Sequence, residues 1–138
     1  MGDGQVGEGA TRLASPAATA TSHPPHPPTH TRARDLHQAV GDRQGEARAW
    51  NNLGATLWEA GRVEEAVEAC EKALEGFREF DDWFRAGQTL SNLALLHQHA
   101  ARPAEARSHY LQSADAYTRA NAPTEAARAR TRANTITP

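Results

Sequence analysis

From Arg32 onward the chain copies itself with a period of 40 residues. Trp50-Asn51-Asn52-Leu53-Gly54 returns as Leu90-Ser91-Asn92-Leu93-Ala94, Glu65-Ala66 as Glu105-Ala106, Cys70 as Tyr110, Ala73 as Ser113, and Phe77 as Tyr117. A period of this length marks a stack of supersecondary units, each of which buries its apolar face only against its neighbours. Within a unit the apolar residues have helical spacing. Ala47, Trp50, Leu53, Gly54, Leu57 and Gly61 share one stripe, and Ala66, Cys70, Ala73, Leu74 and Phe77 share a second. Gly61 stands just past the first helix, and Pro103 opens the equivalent second helix of the next copy. The pattern predicts helices near 43–60, 63–80, 83–100, 103–120 and 123–134. A stub near 32–40 precedes them, closed by a turn at Val40-Gly41-Asp42, the counterpart of Phe80-Asp81-Asp82. The expected fold is all-α, a short α-solenoid of antiparallel helix pairs, with Trp50 as the largest side chain of its core.

Composition narrows the function. Aromatics make up 6% of residues and alanine is abundant, which suits helices packed closely over small side chains. A formal net charge of −2 gives no global pull toward nucleic acid or anionic membrane. Lys72 is the sole lysine and no Gly-Lys-Ser/Thr occurs, so a Walker A phosphate loop is ruled out. Cys70 is the sole cysteine, which excludes an internal disulfide and a cysteine-based zinc site. No stretch approaches 18 apolar residues, and Met1-Gly2-Asp3-Gly4 opens without the basic and apolar regions of a signal peptide. A cytoplasmic protein is expected. Residues 1–31 run through His23-Pro24-Pro25-His26-Pro27-Pro28-Thr29-His30 and have too little apolar surface to offset chain entropy, so they read as a disordered Gly/Ala/Pro/His-rich leader. Residues 32–138 read as the repeat domain: a partial repeat 32–42, repeats 43–82 and 83–122, and a terminal helix 123–134.

The helix pair resembles the tetratricopeptide repeat (TPR) family, whose pattern is W-x2-L-G-x2-Y followed by A-x3-F. Here it becomes Trp50-x2-Leu53-Gly54-x2-Leu57 with Ala66-x3-Cys70, then Leu90-x2-Leu93-Ala94-x2-His97 with Ala106-x3-Tyr110. Small residues at Gly54, Ala66, Ala94 and Ala106 let paired helices approach, while Trp50, Leu53, Leu90 and Leu93 fill the space between pairs. A period of 40 against the usual 34, with Asp42-Arg43-Gln44-Gly45-Glu46-Ala47 before the tryptophan, is similar to the longer repeats of kinesin light chains and of bacterial signalling ATPases and transcription regulators. Leu57 and His97 depart from the family tyrosine. The resemblance implies a right-handed superhelix that binds a peptide or partner protein in its concave groove, without catalysis and without a cofactor. Two alternatives stand beside it: a C-terminal fragment of a larger sensor ATPase or regulator, and a nucleic-acid binder acting through Arg119, Arg128, Arg130 and Arg132. The dipole favours cations near a helix C-terminus in any case, so nucleic acid is the weaker reading.

Other chemistry-bearing residues have plainer roles. His23, His26 and His30 lack cysteine or carboxylate companions, so no metal site is assigned. His97, His99 and His109 lie on expected helices and are not read as catalytic, and His97 stands where the pattern places a core tyrosine. Glu64, Glu68, Glu71, Glu75 and Glu79 form a solvated helix face interleaved with Lys72 and Arg78. Cys70 takes the packing position of Tyr110, as a buried small hydrophobe. The remaining candidate is the first-helix face opposite the core stripe, which holds Arg48, Asn52, Ala55 and Glu59, then Gln88, Asn92, Leu95 and His99 one period later. The resemblance places these eight in the groove. Asn52 and Asn92 each offer a donor and an acceptor to an extended backbone, or else tie one repeat to the next. With about two and a half repeats the end faces are open, so low stability or self-association is also expected.

Overall fold

The computed structural model describes residues 29–137. Five helices follow one another: α1 (Thr29–Glu59), α2 (Val63–Glu79), α3 (Trp83–His99), α4 (Pro103–Arg119) and α5 (Pro123–Asn134), with no strand among the described residues. Each packs chiefly against its chain neighbours, α1 on α2, α2 on α3, α3 on α4 and α4 on α5. This is the all-α solenoid of antiparallel helix pairs that the repeat predicts. The leader assigned to residues 1–31 lies outside the described residues as far as residue 28, and its last residues belong to α1.

One device makes every turn. The links 60–62, 80–82, 100–102 and 120–122 each centre on a left-handed residue: Gly61 (φ 78°), Asp81 (54°), Ala101 (61°) and Asn121 (57°). The next amide then reaches back five residues, Arg62 to the Leu57 carbonyl, Asp82 to Phe77, Arg102 to His97 and Ala122 to Tyr117, at 2.8–2.9 Å. These are Schellman motifs, which satisfy carbonyls that a helix end leaves without partners. Asp82 also caps α3, accepting from the Arg85 amide at 3.2 Å. Glycine takes this conformation at no steric cost, and Asp and Asn tolerate it, but alanine is strained there by about 1–2 kcal/mol. Ala101→Gly should therefore stabilise the chain by about 0.5–1 kcal/mol after glycine's extra unfolded-state freedom is subtracted. Denaturant titration checks this, and a destabilised variant would mean that Ala101 is not held left-handed.

A buried alanine recurs at the same place in each of α2 to α5, at Ala66, Ala86, Ala106 and Ala126, and lets the helices touch closely. A Cβ on Gly54 would lie 2.7 Å from Cys70 Sγ, and one on Gly76 would lie 2.7 Å from Ala47 Cβ. Above this floor the larger residues Leu74, Phe77, Leu90, Leu93 and Leu96 fill the main core, and Tyr110 anchors a second cluster with Ala94, Ala106, Ala133 and Ile136. Buried hydroxyls are paired: Ser113 Oγ donates to the Gly87 carbonyl at 2.7 Å, and Ser91 and Ser113 lie 2.7 Å apart.

Two expectations are corrected. The turn at Val40-Gly41-Asp42 does not form, and α1 runs unbroken through it. Shifted by one period, the positions that bury Cys70, Leu74 and Phe77 are occupied by His30, Arg34 and His37, and only Ala33, in the place of Ala73, keeps an apolar residue. One alanine is too little apolar surface for a segment over 32–40 to fold back on and offset the cost of a turn. The ion pair of Arg43 with Glu79, and the Arg43 guanidinium 5.5 Å from the Phe80 ring centre, mark where α2 ends alongside α1. The N-terminal stretch of α1 overhangs that point by about 20 Å at 1.5 Å per residue, with Leu36 and Val40 exposed. Trp50, expected as the largest side chain of the core, is only partly buried against it. Lys72 Nζ sits 5.7 Å from its ring centre.

Candidate functional site

The eight face residues Arg48, Asn52, Ala55, Glu59, Gln88, Asn92, Leu95 and His99 are all exposed on α1 and α3. Three of them line clefts. Ala55, Asn92 and Leu95 border a slot of about 140 Å³ between α1 and α3, walled by Trp58 and Leu96 and floored by Gly54 and Cys70. His99 meets the same wall from outside, its ring at 82° to Trp58 with centres 4.8 Å apart. Asn92 and Leu95 also border a wider cleft of about 310 Å³ between α3 and α5, shared with Ser91, Tyr110, Tyr117, Glu125, Arg128, Ala129 and Arg132. The two clefts thus adjoin across Asn92 and Leu95. Arg48, Asn52, Glu59 and Gln88 line neither of these two clefts.

Trp58, Tyr110, Tyr117, Arg128 and Arg132 also line these clefts but are not among the eight face residues, the two arginines reading in sequence as part of a basic C-terminal end. The period itself carried the signal for two of them. Counting 40 residues beyond Gln88 and Asn92 reaches Arg128 and Arg132, so the face rows read Arg48, Gln88, Arg128 and Asn52, Asn92, Arg132. The terminal arginines do not act as one basic patch. Arg119 lies over the Trp83 ring, 4.5 Å from its centre, and Arg130 donates to Thr118 Oγ1 at 3.2 Å, while Arg128 and Arg132 border the wide cleft. The amide that ties one repeat to the next is Asn51, whose Oδ1 accepts from Thr89 Oγ1 at 3.3 Å. Asn52 accepts from Thr56 Oγ1 through its backbone carbonyl.

Burial shifts one titratable group at each cleft. Burial, with a smaller push from Glu71, raises the Cys70 thiol to about 11, so it is protonated at neutral pH and packs as an apolar group. Burial, then Glu125, raises the Tyr117 hydroxyl. Among the described residues no group of three or more His, Cys, Asp or Glu is arranged to hold a metal ion. No described helix is long and apolar enough to cross a membrane.

Antiparallel pairs stacked by a fixed three-residue turn, with polar rows and clefts on the first-helix face, define a helical repeat scaffold. The tetratricopeptide repeat family model matches residues 28–79 and 45–119, well over half of the chain. The chain belongs to the tetratricopeptide repeat family, whose repeats generally mediate protein–protein interaction as non-catalytic scaffolds. No curated protein matches the chain at a significant level.

Proposed function

We propose that this chain is a protein-interaction module of the longer-repeat variety that holds an extended peptide of a partner protein across the α1–α3–α5 face, in the cell interior. The observation that carries this reading is the adjoining pair of clefts bridged by Asn92 and Leu95. The slot under Trp58 accepts an apolar side chain, and Asn92 supplies both a donor and an acceptor to the peptide backbone between the clefts. Arg128 and Arg132, opposed by the single acid Glu125, favour a carboxylate in the wide cleft. Full burial of a good anchor and one charge-assisted pair give each end of the ligand a separate handle.

The test is affinity capture from the native cell with wild type, Leu95→Asp and Arg132→Ala. Leu95 is 43% exposed and Arg132 is exposed, so neither substitution disturbs the core, and both variants should melt as wild type does. Each should lose its captured partner by about tenfold or more, as expected for a contact worth about 1.4 kcal/mol. Equal capture by all three proteins would place the binding face elsewhere.

A further inference from the structure

The Schellman turn after α3 differs from the others in what its side chains do. In this motif a residue in the last turn of the helix and the last residue of the link come into contact. The pairs are Leu57 with Arg62, Phe77 with Asp82 and Tyr117 with Ala122, but after α3 they are His97 with Arg102. His97 is buried, and Arg102 Nη1 lies 3.3 Å from its Nδ1. The face of the imidazole stacks on His109 of α4, with centres 4.9 Å apart and planes at 22°. Arg102 also reaches out through Nη2 to pair with Glu64 on α2. A continuous line of contacts therefore runs from α4 through α3 and its turn to α2, across the junction between the first and second helix pairs.

Arginine can only donate, so the contact requires His97 Nδ1 to carry a lone pair and the ring to be neutral. A proton on Nδ1 removes the acceptor and sets cation against cation. We propose that His97, Arg102 and Glu64 form a proton-sensitive latch between α2 and the α3–α4 pair, tight while His97 is neutral and weakened by acid. The charged groups around the ring act in both directions. Burial first and His109 second disfavour the protonated ring, while Glu105 of α4 and Glu71 of α2 favour it; the first two prevail and hold His97 below the usual histidine value. The sign follows. The unfolded chain takes up this proton near pH 6.5, before the folded one, so the latch's stability is present above that pH and is lost as pH falls toward the lower folded value.

The experiment uses the full chain. His97→Gln keeps an acceptor for Arg102 and cannot titrate, so between pH 7.5 and 5.0 wild type should lose more in Tm than this variant. Equal losses would overturn the latch. Imidazole C2-proton exchange followed by mass spectrometry reads the histidines of the unaltered protein directly, without relying on how well the variant folds. The His97 midpoint should fall below the ordinary value of about 6.5 and should rise in Arg102→Gln. A wild-type midpoint at or above the ordinary value, or one that Arg102→Gln leaves in place, would equally overturn the proposal.

Discussion

Tyr110→Ala should unfold the chain under conditions in which Trp50→Ala leaves it folded. Tyr110 is the largest side chain that is fully buried, and it is the one large residue of a cluster otherwise made of Ala94, Ala106, Ala133 and Ile136. Three of those four neighbours are alanines, which cannot swing into the space, so the cavity would persist. Its hydroxyl also donates to Gln98 Oε1 at 3.0 Å, a bond that ties α4 to α3. A loss of about 3–5 kcal/mol is expected for such a truncation, comparable to the whole stability of a small array. Trp50 has a larger ring but only partial cover, so its truncation should cost less than about 2 kcal/mol. Circular dichroism with urea titration of both variants decides the order, and the reverse order would mean that the core centres on the first helix pair.

Gly76→Ala should destabilise although alanine is the better helix former. The added Cβ would sit 2.7 Å from Ala47 Cβ and 3.6 Å from Ala47 Cα. Neither atom belongs to a flexible side chain, so α1 and α2 must move apart. Overpacking of this kind costs about 1–3 kcal/mol beyond the gain in helix propensity of about 1 kcal/mol. Gly41 makes the control. A Cβ there meets nothing within 4 Å, so Gly41→Ala should stabilise α1. If both substitutions stabilise, the close approach of α1 and α2 is not what the structure indicates.

Most of the helical register is legible in the sequence because both the period and the stripe within it come from residues that touch inside one pair. Ala66, Cys70, Ala73 and Phe77 are read as buried and are buried. The errors arise where the answer depends on a neighbour that the pattern does not contain. Trp50 has the composition of a core residue, but its burial requires a helix on its outer side. The turn at Gly41 has the right residue for a reversal, yet reversal needs an apolar face in the preceding segment. His30, Arg34 and His37 leave Ala33 alone on that face. The face positions on α1 and α3 follow from helical angle alone, whereas the clefts depend on how far successive pairs rotate. That rotation brings Arg128 and Arg132 of α5 alongside Asn92 and Leu95, and no single repeat encodes it.

The three-residue turns have a kinetic consequence. Each described helix meets its main partner across a link of three residues, so the helical region closes very short loops on its way to the native state. Loop-closure entropy is small at every step, and contacts of this local kind belong to the fast end of folding rates. Any of the four hairpins can serve as a nucleus, and the remaining helices add to it one at a time. Within residues 29–137 no step requires the first helix to find the last.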